Sequence, residues 1–354
     1  MKLFVAIFLS LIPCWCFSQA SVFGTVLEET TGQPLSKASV YINNSTIGTT
    51  TNDSGFFDLK KINPGFYDIV VSYVGYNPVV YRLQIQSKDF RITFRLQKKQ
   101  NELRNIVVTT KREKAEWMRI FREHFLGVTQ AANNCSILNE DEVLFEEGDT
   151  KKEIRAFSAV PLEVVNEELG YLIHFQLERF SYDPVTQKVY FYGYTRFEDL
   201  IGRDGKVKLK YIKNRERYYK GSTMNFYHSL LDKNLALNHF SVFDQNSKAF
   251  TEESLKTLLV QDSTAGLNVY RLNIANYLEI RYSGILYGSG YLARRQPFSG
   301  MGGRIFTAKI RMVEPPAFLD QQGGLANPLA VMYEGYWGFE RVANMLPVDY
   351  RPAK

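Results

Sequence analysis

The chain is poor in the residues that make small secreted scaffolds and metal sites. It has 3 cysteines and 4 histidines in 354 residues. Two of the cysteines, Cys14 and Cys16, fall in the first twenty residues, which leaves Cys135 alone in the remainder. One thiol cannot close an internal disulfide, so hydrophobic cores must carry the fold. The histidines, at 124, 174, 228 and 239, are scattered, and no HExxH or comparable grouping unites them. No G-x-S-x-G nucleophile elbow occurs. In "LYGSGYL" the serine, Ser289, follows Gly288, but Tyr287 stands where the first glycine belongs. Cys135 has no histidine in its local sequence and reads as a structural thiol. The formal charge of +6 is spread along the chain, which gives no basis for a nucleic-acid partner. Beyond the first twenty residues no apolar run reaches the length of a membrane-spanning helix.

What is present begins with a leader. "MKLFVAIFLSLIPCWCFSQA" has one basic residue, an apolar run and a small polar end, the plan of a signal peptide over 1–20. Neither cysteine in it follows a small residue, as lipidation would require. From Val22 to about Gln97 the apolar residues alternate with period two. "FRITFRL" puts Phe90, Ile92, Phe94 and Leu96 on one face and Arg91, Thr93 and Arg95 on the other. "YDIVVSY" does the same with Tyr67, Ile69, Val71 and Tyr73. Turn signals separate such runs: "TTGQP", "NDSG", "NPG" and "VGYNP". This spacing predicts an antiparallel sandwich. A calcium loop around Gly55 is excluded, because Lys61 stands where a bidentate glutamate should close it. Asn52 and Asp53 are expected to start a turn in which Gly55 takes the positive-φ position.

The motifs Gly24–Val26, Gly32 to Val40, Thr51 to Phe56 and Ser72 to Tyr76 resemble the carboxypeptidase-regulatory-like domain. The resemblance implies a seven-stranded, transthyretin-like accessory sandwich over 21–97, without peptidase activity. In TonB-dependent outer-membrane receptors this sandwich precedes a plug and a barrel, and "IVVTTKRE" looks like the joint to such a plug. A barrel of 22 strands consumes about 220 residues before any loop is built. Residues 114–354 cover little more than that, so the full receptor is not expected. A smaller barrel also fits poorly. "VYFYGYTRF" is aromatic on both faces, and three stretches read as helices. These are "EKAEWMRIFREHFLG", stopped at Gly127, "STMNFYHSLLDKNL" behind Ser222, and "TEESLKTLL" capped by Thr251.

The fold class is therefore read as mainly β, an N-terminal seven-stranded β-sandwich followed by a β-rich α+β domain. A linker over 98–113 joins the sandwich to a single domain over 114–354, with strands expected at 142–146, 154–159, 171–180, 187–197, 207–213, 267–274, 277–285 and 304–313. "PLEVVNEELGYLIHFQLERF", "GSTMNFYHSLL" and "GYWGFERVANMLPVDYRP" resemble the C-terminal half of an uncharacterised group of exported bacterial proteins. That resemblance supplies architecture and export, without chemistry.

No catalytic residue, metal ligand or cofactor site is assigned from the sequence. His228 and Asp232, four apart on a helix, read as a surface pair, and of the acidic pairs at 146–147, 167–168 and 252–253 the first two form no dyads by themselves. The one suggestive stretch is "ARRQPFSGMGGRIF", where Arg294, Arg295 and Arg304 flank a glycine-rich loop suited to gripping an anionic group. The expected function is a non-enzymatic, exported binding protein of the cell envelope. It would lie in the periplasm or at the outer membrane, in contact with an outer-membrane protein complex or a glycan. The alternative is a hydrolase of polysaccharide or cell-wall material with a site assembled from distant residues, and a further possibility is glycan binding through exposed aromatics.

Overall fold

A computed structural model describes residues 19–86, 88–99, 110–148, 153–264, 268–287 and 305–353. The alternating N-terminal pattern folds as two facing sheets. β1 (Ala20–Glu28), β4 (Phe56–Ile62) and β7 (Phe90–Leu96) make one, in the order β4-β1-β7. β2 (Ser39–Ile42), β3 (Gly48–Thr50), β5 (Gly65–Ser72) and β6 (Val79–Ile85) make the other, in the order β3-β2-β5-β6. β1 and β7 run parallel, with Gly24 beside Ile92. A Cβ on Gly24 would meet the Ile92 carbonyl oxygen at 1.7 Å, so the "G-x-V" glycine is needed for this close pairing. Val22, Val26, Phe57, Leu59, Ile69, Val71, Phe94 and Leu96 fill the space between the sheets. The Asn52 turn forms as expected: its side-chain oxygen accepts from the Ser54 and Phe56 amides, and Gly55 has φ +72. The strand "FRITFRL" alternates cleanly at its C-terminal end, but β5 does not. Ile69, Val70 and Val71 are all buried, because the outer face of its sheet is covered by the rest of the protein.

Among the described residues from 110 onward, the buried apolar side chains form two further hydrophobic cores rather than one. The first begins with α1 (Lys111–Phe125), started by a capping box between Thr110 and Glu113, followed by the short α2 (Gln130–Asn133). Its strands are β8 (Cys135–Ile137), β9 (Val143–Glu147), β10 (Ile154–Ser158), β11 (Leu162–Asn166), β12 (Tyr171–Asp183) and β13 (Lys188–Asp199). The long β12 organises them. β13 lines one edge over its whole length, while β11 and then β10 share the other. Phe121 and Phe125 of α1 stack on each other with centroids 4.8 Å apart and press edge-on against Phe180 and Phe175.

The strand expected at 207–213 is instead the start of α3 (Leu209–Tyr219). Val207, Leu209 and Tyr211 alternate with lysines and mimic a strand. The stripe that decides the matter is helical and polar: Tyr211, Asn214, Arg215, Tyr218 and Tyr219 are buried. Arg215 is the hub. It donates to the Leu169 and Gly170 carbonyls at 2.7 Å each, pairs with Asp199 at 2.8 Å, and lies 3.6 Å from the Tyr171 ring centre.

The second of these cores gathers α4 (Thr223–Leu231), capped by Ser222, β14 (Phe240–Phe243), and α5 (Glu252–Leu258), capped by Thr251. It also holds β15 (Leu259–Gln261), β16 (Tyr270–Leu272), β17 (Tyr277–Tyr282), β18 (Phe306–Met312), β19 (Ala317–Leu319) and β20 (Val331–Gly335). They form sheets in the orders β14-β17-β18-β20 and β15-β16-β19. Phe226, Phe240, Tyr336 and Trp337 pack inside, and the Tyr336 hydroxyl and Trp337 indole N–H both donate to the Gly221 carbonyl. Residues 342–344 then leave this core and enter the preceding one. Val342 and Ala343 are buried there, and the Ala343 carbonyl accepts from Asn166 at 2.8 Å.

Arg215→Lys is expected to lower unfolding free energy by about 2–4 kcal/mol in urea titration. A lysine cannot reproduce the fork to two buried carbonyls and a carboxylate, and unmet buried acceptors cost about 1–3 kcal/mol each. An unchanged midpoint would show that α3 is held by its tyrosines alone.

Candidate functional site

The sandwich, residues 320–328 and the C-terminal segment enclose a cleft of about 170 Å³. Its first wall is the turn between β2 and β3. The Asn44 amide donates to the Thr195 carbonyl and the Phe197 amide to Ser45, so the turn adds a short parallel bridge to β13. Asn43 accepts from the Thr195 amide at 2.9 Å. The second wall is the turn between β4 and β5, where the Phe66 amide donates to Asp320 at 2.7 Å. The third is the C-terminal segment. The Val348 amide donates to the Asn44 carbonyl, Asp349 accepts from both the amide and the hydroxyl of Thr46, and Arg351 donates to both oxygens of Gln322.

Asp320 is the deepest of the acidic groups, 4% exposed. Its other oxygen accepts from the Gln322 and Gly324 amides at 2.8 Å each. Burial raises its pKa while these amide donors pull it down, and burial is the larger influence. Asp68 lies at the outer rim, bound in a fork by Arg82 at 2.8 and 3.0 Å. Phe66 and Tyr67 contribute aromatic surface, and Asn43, Asn44 and Asn63 contribute amides.

Behind the cleft, His228 links two elements. Its Nε2 lies 2.9 Å from the Gln322 carbonyl, which can only accept, so Nε2 carries the proton. Nδ1 is then the acceptor for the Tyr219 hydroxyl at 2.7 Å. Burial, with the Arg351 charge beside it, pulls the imidazole down to about 4. His228 is thus no surface pair with Asp232, whose amide merely closes the α4 C-terminus on the His228 carbonyl.

Asp68, Asp320 and Asp349 border one cavity, yet each already accepts hydrogen bonds from protein groups. Among the described residues no cluster of histidine, cysteine and carboxylate could hold a metal ion. Glu167 and Glu168 diverge, the first accepting from Tyr211 and the second from Asn134. Burial pushes the Cys135 thiol up to about 12, as a structural thiol requires.

Arg294, Arg295 and Arg304 lie outside the described residues, as does Ser289. The cleft residues gave little sign of themselves. "DQQGG" at 320–324 carries the aspartate–glycine signature of a tight turn, but nothing local says that Asp320 also caps a turn 254 residues earlier.

Residues 22–108 match the family model described as CarboxypepD_reg-like domain, a span that takes in the sandwich strands from Val22 to Leu96. The N-terminal part is a CarboxypepD_reg-like domain. No curated protein matches the chain. Among solved structures, 3-chlorocatechol 1,2-dioxygenase from Rhodococcus opacus is 11% identical over 23% of this chain and 61% of its own length, TM-score 0.20. The chain thus spans less than two-thirds of that enzyme. A protein of unknown function from Bacteroides fragilis is 13% identical over 90% of this chain and 93% of its own, TM-score 0.19. A proposed carbohydrate-binding protein from Bacteroides uniformis is 13% identical over 53% and 82%, TM-score 0.19. Scores at this level establish no common fold. Through Phe66, the CarboxypepD_reg-like domain is joined directly to Asp320 of the last core, and through Thr46 to the C-terminal segment.

Neutral His228 sets a pH dependence. Its folded value of about 4 lies below the ordinary 6.5, so its contribution is complete above 6.5 and is lost as pH falls toward 4. The loss is roughly 1–3 kcal/mol. Urea unfolding at neutral pH and near pH 4.5 should show a smaller drop for His228→Gln than for the natural chain. Equal drops would mean that the imidazole is freely protonated in the fold.

Proposed function

We propose that the chain is a non-enzymatic binding protein of the bacterial cell envelope. In this reading residues 1–20 direct export, the sandwich over 21–97 and the portion over 114–354 are joined by 98–113, and the protein works in the periplasm or at the outer membrane. The junction cleft is its ligand site, for a polar glycan-like group. One observation carries the reading: a cavity between the sandwich, residues 320–328 and the C-terminal segment, lined by amides, two arginines and two aromatic rings, whose carboxylates are all engaged by protein donors. Pockets of this kind favour domain junctions, and a few fixed polar groups beside aromatic surface suit a hydroxylated ligand. Among the described residues no helix is long and apolar enough to cross a membrane. Arg294, Arg295 and Arg304 remain candidates for contact with an anionic group of the same partner.

The hydrolase alternative draws on the convergence of Asp68, Asp320 and Asp349 at one cavity. Engaged carboxylates lack the separation into a free acid and a free base that glycoside chemistry needs.

A glycan array followed by calorimetry tests both. The binding reading expects at least one retained glycan, bound about tenfold or more weakly by Arg82→Ala, since a hydrogen bond from a charged donor is worth about 1.5–3 kcal/mol. An empty array, or hits indifferent to Arg82, would remove the cleft as the site. Release of reducing ends that stops in Asp349→Asn would establish the hydrolase instead.

A further inference from the structure

The side of the molecule formed by the outer surface of α3 combines cations with protruding aliphatic side chains. Leu209, Ile212, Lys213, Glu216, Arg217 and Lys220 are all exposed, Leu209 by 74%. Positions 209, 213, 217 and 220 follow one another along a single helical stripe, so the leucine and the three cations share an aspect of the helix. The opposite stripe is fully committed to the core through Tyr211, Arg215, Tyr218 and Tyr219.

The stripe borders a second groove, of about 490 Å³. Lys213, Arg217 and Lys220 form one bank. Leu237, Ile285 and Tyr287 form the other, and Leu237 and Ile285 are 82% and 70% exposed. The Arg217 guanidinium lies 5.6 Å from the Tyr287 ring centre, which ties the two banks together. The single acidic group on this stripe, Glu216, is engaged by Lys220 at 2.9 Å. Lys208, at the N-terminal end of α3, and Lys210, in its first turn, add further positive charge.

We propose that this surface is a seat for a bilayer carrying anionic lipid headgroups. The cations meet the headgroups, and Leu209, Leu237 and Ile285, with the amphipathic ring of Tyr287, enter the headgroup–acyl boundary. Charge complementarity selects an anionic surface, and the projecting aliphatic groups favour a lipid surface over a dissolved anion. A soluble polyanion offers leucine and isoleucine nothing to enter, whereas an interface buries them with a gain proportional to area. Attachment of this kind is reversible and needs no spanning helix. It uses residues distinct from those of the junction cleft, so neither assignment depends on the other.

Vesicle co-sedimentation of the purified chain tests it, with phosphatidylcholine alone against phosphatidylcholine mixed with phosphatidylglycerol. The proposal expects binding to the anionic vesicles only, largely lost at about 1 M salt, where the screening length is about 3 Å. Lys213→Glu, Arg217→Glu and Lys220→Glu together should lower partitioning about 100-fold or more. Leu237→Ser with Ile285→Ser should lower it several-fold with the charge intact. Thermal unfolding of each variant, expected to match the natural chain because every altered side chain is exposed, guards against misfolding. Equal binding to neutral vesicles, no binding to either, or aliphatic substitutions without effect would overturn the lipid assignment. The last outcome would leave a simple polyanion site.

Discussion

The arrangement of this protein depends on the way a C-terminal segment satisfies main-chain groups of a turn at the other end of the sequence. The Asn44 amide and carbonyl, the Ser45 carbonyl and the Thr46 amide point out of the sandwich. They are met by Thr195 and Phe197 from β13 and by Val348 and Asp349 from the C-terminal segment. Buried amides and carbonyls left without partners cost about as much as whole hydrogen bonds. The turn therefore fixes the orientation of the sandwich against both neighbours at once. Asp320 does the equivalent for the β4–β5 turn, ordering its own loop and gripping Phe66 with the same carboxylate. A cleft bounded by such turns is held open by its own walls, which is the condition for a preformed binding cavity.

Much of the N-terminal fold was legible because its strands obey a two-residue period and its turns carry glycine, asparagine and proline. The helix α1 announced itself through apolar spacing and the Gly127 stop, and α4 and α5 through Ser222 and Thr251, whereas the Thr110 cap lay unread inside the expected linker, of which 100–109 are outside the described residues. α3 was misread because its buried stripe is built from tyrosine, asparagine and arginine, and tertiary contacts decided what apolar periodicity could not. β8, β14, β15 and β19 have three or four residues each, too few for a period to show. The division of 114–354 into two cores was equally hidden, because residues 342–344 return to a core left more than a hundred positions earlier.

The cleft was legible hardly at all. Thr46 and Asp349 are 303 positions apart, and Phe66 and Asp320 are 254 apart. Each reads locally as an ordinary turn residue, and only folding makes them neighbours. His228 shows the same limit. Its spacing from Asp232 suggested a pair along one helix, whereas its actual partners, Tyr219 and Gln322, belong to other segments. By contrast, many of the aromatic rings went into cores, with Phe121, Phe125, Phe226 and Trp337 all enclosed, rather than to an exposed glycan-binding face.

The lacing by residues 342–351 has a consequence for biogenesis. These residues follow all three cores in the chain, so during synthesis or translocation from the N-terminus they arrive after the bodies they connect. The sandwich can condense as soon as β7 is available, since its parallel β1–β7 pairing involves nothing downstream. Its bonds to Thr195, Phe197 and Asp320 can form before residues 342–351 appear, so the ties from Val348 and Asp349 are the last to be added. The end of the chain thus acts as a final clasp on an assembly whose other contacts are already available.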